Sequence, residues 1–298
     1  MRILASRLSI TATLARGQGD DTPMARATIE YSLDSLLGAT PGVFAVAYKD
    51  LQSGDTIFRR EKEKFHAAST MKTPVMIEVY TQAAAGRIGL DDSIDVVNLF
   101  HSIVDGSEYT MDIINDSDDG LYRMIGKETT LRRLVHEMIT MSSNLATNIL
   151  IERVGAENVM KTMHALGAVD MQVLRGVEDN KAFRQGLNNT TTAWDLMLIF
   201  EKLARGSVVS PQASREMMDV LEKQHLNAMI PALLPNDVIV AHKTGSIAGV
   251  QHDSGVVTLP DGRRYVLVVL SRELRTADQG IQAIASISKL FYDYQTGK

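Results

Sequence analysis

Hydrophobic runs with strand character stand at both ends of the chain, and helical periodicity fills the stretch between them. Near the N-terminus, ATIEYSLDSLL has apolar residues at helical spacing and precedes two strand-like runs joined by the turn residues QSGD. Near the C-terminus, Gly-containing turns separate three further strand-like runs, and the amphipathic helix DQGIQAIASISKLFYDY follows them. The predicted strands are GVFAVAYKDL (42–51), DTIFRREKE (55–63), DVIVAHKTGSI (237–247), HDSGVVTL (252–259) and RRYVLVVLSR (263–272).

The middle of the chain, from about residue 70 to 225, has a mostly helical pattern. TLRRLVHEMITMSSNLATNILIERVG (130–155) carries apolar residues at helical spacing. TTTAWDLMLIFEKLARG (190–206) predicts a helix with a Thr cap at its start and a Gly at its end.

These elements predict an α+β fold, in which one antiparallel sheet is built from both chain ends and flanked by helices. We expect residues 24–68 and 226–298 to form this α/β part, and residues 69–225 to form an all-helical part inserted between them. The cleft between the two parts is the natural place for a site. Residues 1–23 are predicted to be a leader or a disordered N-terminus, because Arg7 interrupts the apolar stretch that an export signal needs.

Composition and charge narrow the classes of function. The net charge of −5 argues against bulk electrostatic binding to nucleic acid or anionic membranes. No apolar run approaches the roughly 20 residues of a membrane span. The absence of cysteine excludes disulfides, thiolate metal sites and cysteine nucleophiles. The histidines do not cluster at ligand spacing, and we therefore predict neither a metal nor a cofactor.

A serine three residues before a lysine, in FHAASTMKTPVM, is the first candidate for chemistry. On a helix, residues three apart share a face, and the Lys72 amine can then lie beside the Ser69 hydroxyl and accept its proton. This use needs a lowered Lys72 pKa, which the apolar neighbours favour. The alternative is ordinary helix-start chemistry, in which Ser69 or Thr70 caps the helix. Spacing alone does not decide, since Ser286 and Lys289 repeat it near the C-terminus.

A second segment, MSSNLATN, places polar residues at the start of an apolar helical run. In a catalytic interpretation, the Ser142 hydroxyl relays a proton and the Asn144 amide binds a substrate carbonyl. The alternative is a capping box or turn, because Ser and Asn favour helix starts.

The third segment, HKTGSI, interrupts an apolar strand with a lysine and a glycine. Glycine weakens a strand and often marks close approach of a ligand or another backbone, which makes Gly245 part of the candidate site. Lys243 and Thr244 supply a cation and a hydroxyl for a carboxylate. The N–H of Ser246 can complete an oxyanion hole with that of Ser69. An edge strand that carries an ordinary lysine is the alternative.

Ser-x-x-Lys, Ser-x-Asn and Lys-Thr-Gly, in this order, resemble the three-part signature of penicillin-recognising serine enzymes. The surrounding sequence is similar to class A β-lactamases over about residues 27–295. The resemblance implies a hydrolase that opens β-lactam rings through an acyl-enzyme on Ser69, with Lys72, or Glu178 through a water, as the base for acylation. It also implies a loop glutamate that activates the water for deacylation. Glu178 in LRGVEDN is the candidate, since it lies 34 residues after Asn144.

Three features depart from the family pattern. Ser143 stands where the family has the Asp of Ser-Asp-Asn, and the hydrogen bonds of that Asp must be replaced. Ala182 stands where an Asn follows the loop glutamate by four residues, with Asn180 nearby. The segment 99–127 is longer than the family norm and borders the expected cleft, with Tyr109 as a wall residue.

Other interpretations remain open at this point. Glu178 can be a loop carboxylate in a salt bridge, with Asp179 as a weaker substitute for its catalytic role. The protein can be a slow-deacylating D-Ala-D-Ala peptidase or esterase of the same fold, or a non-enzymatic β-lactam sensor. We expect a small β-lactam or peptidoglycan-like substrate, no nucleic acid, no membrane span and a monomeric protein. The resemblance implies a periplasmic or secreted location.

Overall fold

A five-stranded antiparallel sheet made from both ends of the chain forms the centre of the fold. The computed structural model describes residues 23–298, and the expected leader at residues 1–23 therefore lies outside the described residues except for Pro23. The terminal elements are α1 (Pro23–Ala39), β1 (Val43–Asp50), β2 (Thr56–Arg59), β9 (Ile239–Ile247), β10 (Val250–Thr258), β11 (Arg264–Arg272) and α9 (Ala277–Thr296). The strand order is β2-β1-β11-β10-β9. The predicted fold class is confirmed.

Both faces of this sheet are buried, which explains why its central strands β1 and β11 are nearly continuous hydrophobic runs. Val46 and Tyr48 face the terminal helices, where the Tyr48 and Phe291 rings stack with centroids 4.5 Å apart. Ala45 and Ala47 point to the opposite face and pack against the inserted part of the chain, because successive residues of a strand alternate in direction. Each large side chain that is fully buried in this way stabilises the fold by about 1.5–3 kcal/mol.

The inserted part is mainly helical but also contains short strands. Its elements are α2 (Lys72–Ala84), β4 (Ser93–Asp95), β5 (Phe100–His101), β6 (Glu108–Tyr109), β7 (Glu128–Thr130), α3 (Leu131–Thr140), α4 (Asn144–Val154), α5 (Ala156–Ala165), α6 (Asn180–Arg184), β8 (Thr190–Thr191), α7 (Ala193–Ala204) and α8 (Pro211–Leu221). The short strand β3 (Phe65–His66) lies just before it in the chain and pairs with β8. The pairs β3–β8, β4–β7 and β5–β6 are two-stranded sheets. The expected all-helical part is corrected in this respect, because strands of two or three residues are too short to show an alternating pattern.

Helix α2 runs through the middle of the inserted part, and its start lies against the edge strand β9. Val75, Ile77 and Val79 are fully buried, and the helix is covered on nearly all sides. The preceding turn of 3₁₀ helix, Ala68–Met71, packs against β9 and β10. The cleft between β9 and the inserted part is therefore built around the first turn of α2. Over residues 23–298, no helix combines the length and the apolar character needed to cross a membrane.

Candidate active site

Ser69 lies in the 3₁₀ turn that leads into α2, where its side chain reaches the cleft. The turn begins at Ala68, whose φ of +45° is a left-handed conformation that residues other than glycine rarely adopt. Neither this turn nor α2 has a side-chain capping hydrogen bond at its start. The helix-cap interpretation of Ser69 and Thr70 therefore finds no support, and the Ser69 hydroxyl is left available to the cleft.

The Lys72 side chain is completely buried, and its amine contacts the second predicted segment. It donates to the Ser142 carbonyl at 2.6 Å, to the Ser142 hydroxyl at 3.2 Å and to Asn144 Oδ1 at 2.8 Å. Burial lowers the pKa of Lys72 to about 7, although the anions Asp116 and Glu178 act in the opposite sense. Close to neutral pH, a large fraction of this amine is therefore unprotonated and has a lone pair with which to accept a proton.

The structure differs from the expected pairing of Ser69 with Lys72 in one respect. Among the described residues, the Lys72 amine makes its hydrogen bonds to Ser142 and Asn144, and none to Ser69. An ammonium has three donor hydrogens, and three acceptors on the Ser142–Asn144 turn occupy them. The amine can accept the Ser69 proton only in its neutral form, when one of these contacts is given up.

The Ser142 hydroxyl is held between two lysine amines. The Lys243 amine donates to it at 3.0 Å and the Lys72 amine at 3.2 Å. Both oxygen lone pairs are thus used as acceptors, and the hydroxyl hydrogen is left to point elsewhere. Ser142 also has a left-handed φ of +59°, an unfavourable conformation that brings its carbonyl oxygen to Lys72.

Lys243 turns inward from β9 and is not exposed to the cleft. Its amine is completely buried, with bonds to the Ser142 hydroxyl and the Thr244 carbonyl, the latter at 3.0 Å. Burial, and after it the neighbouring Lys72, lower the pKa of Lys243 well below that of an ordinary lysine. Ser142, Lys243 and Thr244 accordingly lie beneath the cleft surface, whereas Ser69, Asn144 and Ser246 line it.

Gly245 is where the edge strand approaches the nucleophile turn most closely. A Cβ placed on Gly245 would lie 3.1 Å from the Ser69 nitrogen and 3.2 Å from both Ala68 and Thr70 side chains. A side chain at this position would be packed more tightly than most, and glycine avoids this contact between the two backbones. The next residue, Ser246, lines the same cavity. Ser69 and Ser246, the two residues expected to form the oxyanion hole, therefore line one cavity.

Glu178 reaches the site from the loop before α6. Its carboxylate accepts a hydrogen bond from Asn144 Nδ2 at 3.2 Å, and the Asn144 amide therefore bridges Glu178 and Lys72. Burial raises the pKa of Glu178, while the Asn144 hydrogen bond opposes the change. Glu178 has a left-handed φ of +62°, and strained backbone of this kind is concentrated at functional sites. No salt bridge to Glu178 occurs among residues 23–298, which disfavours the ion-pair interpretation.

Asp179 makes structural hydrogen bonds and does not take the place of Glu178 as the catalytic carboxylate of the loop. Its carboxylate accepts hydrogen bonds from the Ser102 hydroxyl at 2.9 Å, from the Ile103 N–H at 3.0 Å and from the Ala182 N–H at 3.0 Å. Burial alone would raise the pKa of Asp179, but these hydrogen bonds outweigh it and the pKa is lowered. The carboxylate thus caps α6 and ties the loop to the segment 99–127. Asn180, which follows it, lines the cleft.

The cleft that these groups share has a volume of about 420 Å³. Besides the polar groups, it is lined by the apolar side chains of Val177, Phe183 and Ile247. Tyr109 is not part of its wall, which corrects the expectation for this residue. The Tyr109 hydroxyl lies 3.3 Å from the Val177 carbonyl and 3.2 Å from Asn148 Nδ2, and it supports the Glu178 loop from behind.

One residue in contact with the site was missed by the sequence analysis. Asp116, in the long segment 99–127, binds the first N–H groups of α4 beside Asn144. The available signal was the acidic run NDSDD together with Ser143 in place of an aspartate. No fixed spacing joins these two features, and neither one alone identifies Asp116. Within residues 23–298, no group of three or more His, Cys, Asp or Glu could hold a metal ion.

Most of the chain matches known proteins in sequence and in fold. The profile of the β-lactamase enzyme family matches residues 28–295. β-Lactamase VEB-1 of Pseudomonas aeruginosa is 22% identical over 313 aligned positions, which cover 100% of this chain and 98% of the relative. The crystal structure of a β-lactamase from Sphaerobacter thermophilus is 28% identical, with a TM-score of 0.77 over 91% of this chain and 98% of that chain. The structure of PBP-A shares the fold at 24% identity, with a TM-score of 0.79 over 91% of this chain and 97% of that chain.

Proposed function

Because the chain belongs to the β-lactamase enzyme family, we propose that it opens β-lactam rings as a class A-like serine hydrolase with an acyl-enzyme on Ser69. The observation that carries the proposal is the convergence of the three motifs. The Ser142 hydroxyl bonds to both Lys72 and Lys243, and Gly245 lies against the Ser69 backbone. Separate segments of the chain thus surround one nucleophile in the way that acyl transfer requires.

In the first half of the reaction, the Ser69 oxygen attacks the lactam carbonyl and loses its proton to neutral Lys72. The N–H groups of Ser69 and Ser246 stabilise the oxyanion, and each such donor is typically worth about 3 kcal/mol. When the ring C–N bond breaks, the leaving nitrogen needs a proton. Ser142 can supply it, because its hydroxyl hydrogen is free while its oxygen faces the protonated Lys72 at 3.2 Å, from which it is replenished.

In the second half, Glu178 accepts a proton from a water that attacks the acyl carbonyl. The ester bond to Ser69 then breaks, and the proton passes to the Ser69 oxygen, which restores the free enzyme. The raised pKa of Glu178 makes its carboxylate a stronger base than an exposed one. Asn180 is the side-chain amide of the cleft that can provide the second contact for this water, because Ala182 is fully buried and has no polar side chain.

Two parts of the site, strand β9 and Asn144, are proposed to bind the substrate. We propose that the substrate carboxylate binds at the cleft surface above Lys243, Thr244 and Gly245, which are buried in β9. Asn144 is proposed to bind the side-chain amide carbonyl of the substrate. Its two amide hydrogens point to the Asn115 carbonyl at 3.3 Å and to Glu178 at 3.2 Å, and substrate therefore has to replace one of these long bonds.

The acylation rate, measured as kcat/KM, is expected to rise with pH through about 7 and to level off above it. The reason is that Lys72, with a pKa of about 7, accepts the Ser69 proton only when it is neutral. Below this pH the rate should fall about tenfold per unit. Steady-state rates with a chromogenic cephalosporin between pH 5 and 9 measure this profile. An acid limb well below pH 7 would instead identify Glu178, through water, as the acylation base.

The overall function is tested by comparing substrates on the purified protein. We expect catalytic turnover of nitrocefin, and little turnover of D-Ala-D-Ala peptides and p-nitrophenyl esters. A slow-deacylating peptidase or esterase is the second candidate, favoured by Ala182 in place of a second polar partner for the water. It would hydrolyse peptides or esters but stop at a long-lived adduct with nitrocefin. A stoichiometric adduct without turnover of any of these substrates would indicate a sensor.

The same family membership supports a periplasmic or secreted location, and we propose it for this protein. We also propose a monomer, because side chains of one chain complete the cleft. Gel filtration with light scattering measures the oligomeric state directly.

A further inference from the structure

The carboxylate of Asp116, in the long segment 99–127, accepts hydrogen bonds from the start of α4, next to the second motif. Both oxygens of Asp116 accept the Asn144 N–H, at 2.9 and 3.0 Å, and one of them also accepts the Leu145 N–H at 2.9 Å. Asp116 precedes Asn144 by 28 positions in the chain. The contact is therefore a tertiary one, made between a loop and a helix end.

The start of α4 needs such a partner. The first N–H groups of any helix have no acceptor within the helix, and the N-terminal end of the helix favours negative charge. In this chain Ser143 is the capping residue and satisfies only the Ala146 N–H, at 3.3 Å. Asp116 takes the two N–H groups before it. The capping of α4 is thus divided between a local serine and a distant aspartate.

The groups beside this contact are those that the proposed reaction uses. Asp116 fixes the backbone of Asn144, whose side chain joins Lys72 to Glu178. Ser142, two residues before Asn144, lies in the same turn and has its left-handed φ there. A small movement of the turn would displace all of these groups together.

Asp116 also acts on Lys72 through its charge. Three ionisable groups from different elements face the Lys72 amine: Asp116, Glu178 and Lys243. Burial lowers the pKa of Lys72 to about 7, and Asp116 is the stronger of the two anions that oppose the change. Removal of this anion would therefore lower the pKa of Lys72 further, because the ammonium would lose a stabilising neighbour.

We propose that Asp116 is a positioning residue of the active site. From the long segment 99–127 it supplies a carboxylate at the start of α4, where Ser143 provides only a hydroxyl. It holds the Ser142–Asn144 turn against Lys72 and sets the charge balance around that amine. Its kinetic consequences rest on the proposed function, acylation at Ser69. Its structural and electrostatic consequences do not, and they are tested separately.

The first test follows the ionisation of Lys72 without any substrate. The protein is labelled with ε-¹³C-lysine, the Lys72 signal is assigned with a Lys72→Met variant, and its NMR shift is followed against pH. In Asp116→Asn, the titration midpoint of Lys72 should fall by about one pH unit. The control is Asp119→Asn, which removes an exposed charge that pairs with Arg123 in the same segment and should titrate as the parent does. An unchanged midpoint in folded Asp116→Asn would refute the inference.

The second test is kinetic and includes a rescue. In Asp116→Asn, the acylation rate with a chromogenic β-lactam should fall about tenfold, because the turn is displaced. The acid limb of its pH profile should move to lower pH, which the loss of a merely structural contact would not cause. Adding Ser143→Asp places a carboxylate at the start of α4. It should restore both the acylation rate and the position of the acid limb in the pH profile.

The outcomes separate this inference from the proposed function. A folded double variant, judged by its melting temperature, that stays as slow as Asp116→Asn would overturn the inference. Should the buried Ser143→Asp change prevent folding, the Lys72 titration in Asp116→Asn decides by itself. A parent protein that never acylates would refute the proposed function, while the same titration would still decide the role of Asp116.

Discussion

Replacement of Ser69 by alanine is expected to lower β-lactam turnover by a factor on the order of 10⁴ or more, and to abolish the covalent adduct. Among the described residues that line the cleft, Ser246 is the only other one with a hydroxyl, and it donates that hydroxyl to Gln251 Oε1 at 2.6 Å. Loss of a nucleophile costs this much because the remaining groups retain only binding and oxyanion stabilisation. Nitrocefin hydrolysis gives the rate, and intact-mass spectrometry after mixing with penicillin gives the adduct.

The chain itself offers a matched control for this variant. Ser286 and Lys289 repeat the spacing of Ser69 and Lys72 on the surface of α9. The Lys289 amine bonds to the Asp293 carboxylate at 2.6 Å, and neither Ser286 nor Lys289 is among the residues that line the cleft. Ser286→Ala should therefore leave turnover and adduct formation unchanged. A penicillin adduct that persists in Ser69→Ala would exclude Ser69 as the nucleophile.

The contrast between Ser69 and Ser286 also shows why the Ser-x-x-Lys spacing alone does not identify the nucleophile. Two Ser-x-x-Lys segments occur, and only the order of three motifs distinguished them in the sequence. The central sheet was predictable as well, since its strands are long, apolar and bounded by turns. In the structure they pair as β2-β1-β11-β10-β9, with both chain ends in one sheet. Burial on both faces makes such strands visible in a hydrophobic pattern.

Other parts could not be predicted, because they depend on contacts between distant residues. The direction of the Lys243 side chain is set by the Ser142 hydroxyl, 101 positions earlier in the chain. The hydrogen bonds of Tyr109 to Val177 and Asn148, which place it behind the Glu178 loop, have no local signature. Asp116 accepts the Asn144 N–H across 28 positions of the chain, and no periodicity records that relation. Hydrogen-bonded side chains of this kind follow from the fold rather than from the neighbouring sequence.

Replacement of Glu178 by glutamine is expected to separate the two halves of the reaction. Acylation should continue, because Lys72 and the oxyanion donors remain in place. Deacylation should slow by about 10²–10⁴-fold, since the amide cannot accept a proton from the attacking water. Mixing with penicillin should then give a burst of one equivalent, and a mass increase of one penicillin that persists for minutes to hours. Glu178→Ala should behave in the same way.

Removal of a carboxylate outside the cleft is the control for the slow deacylation of Glu178→Gln. Glu152 lies on α4 with 46% of its side chain exposed, outside the wall of the cleft. Glu152→Gln should therefore turn over like the parent, with no accumulated adduct. Asp179 is unsuitable as a control, because its three hydrogen bonds hold the loop that carries Glu178.

The two rate constants of Glu178→Gln also decide which group activates Ser69. Asn144 joins Lys72 and Glu178, and either one can be argued to take the first proton. If Lys72 does so, acylation in Glu178→Gln stays within a few fold of the parent and only deacylation falls. If Glu178 acts through a water in both steps, both rate constants fall together and no adduct accumulates. A variant that deacylates as fast as the parent would mean that another group activates the water, and Glu178 would then have a structural role in its loop.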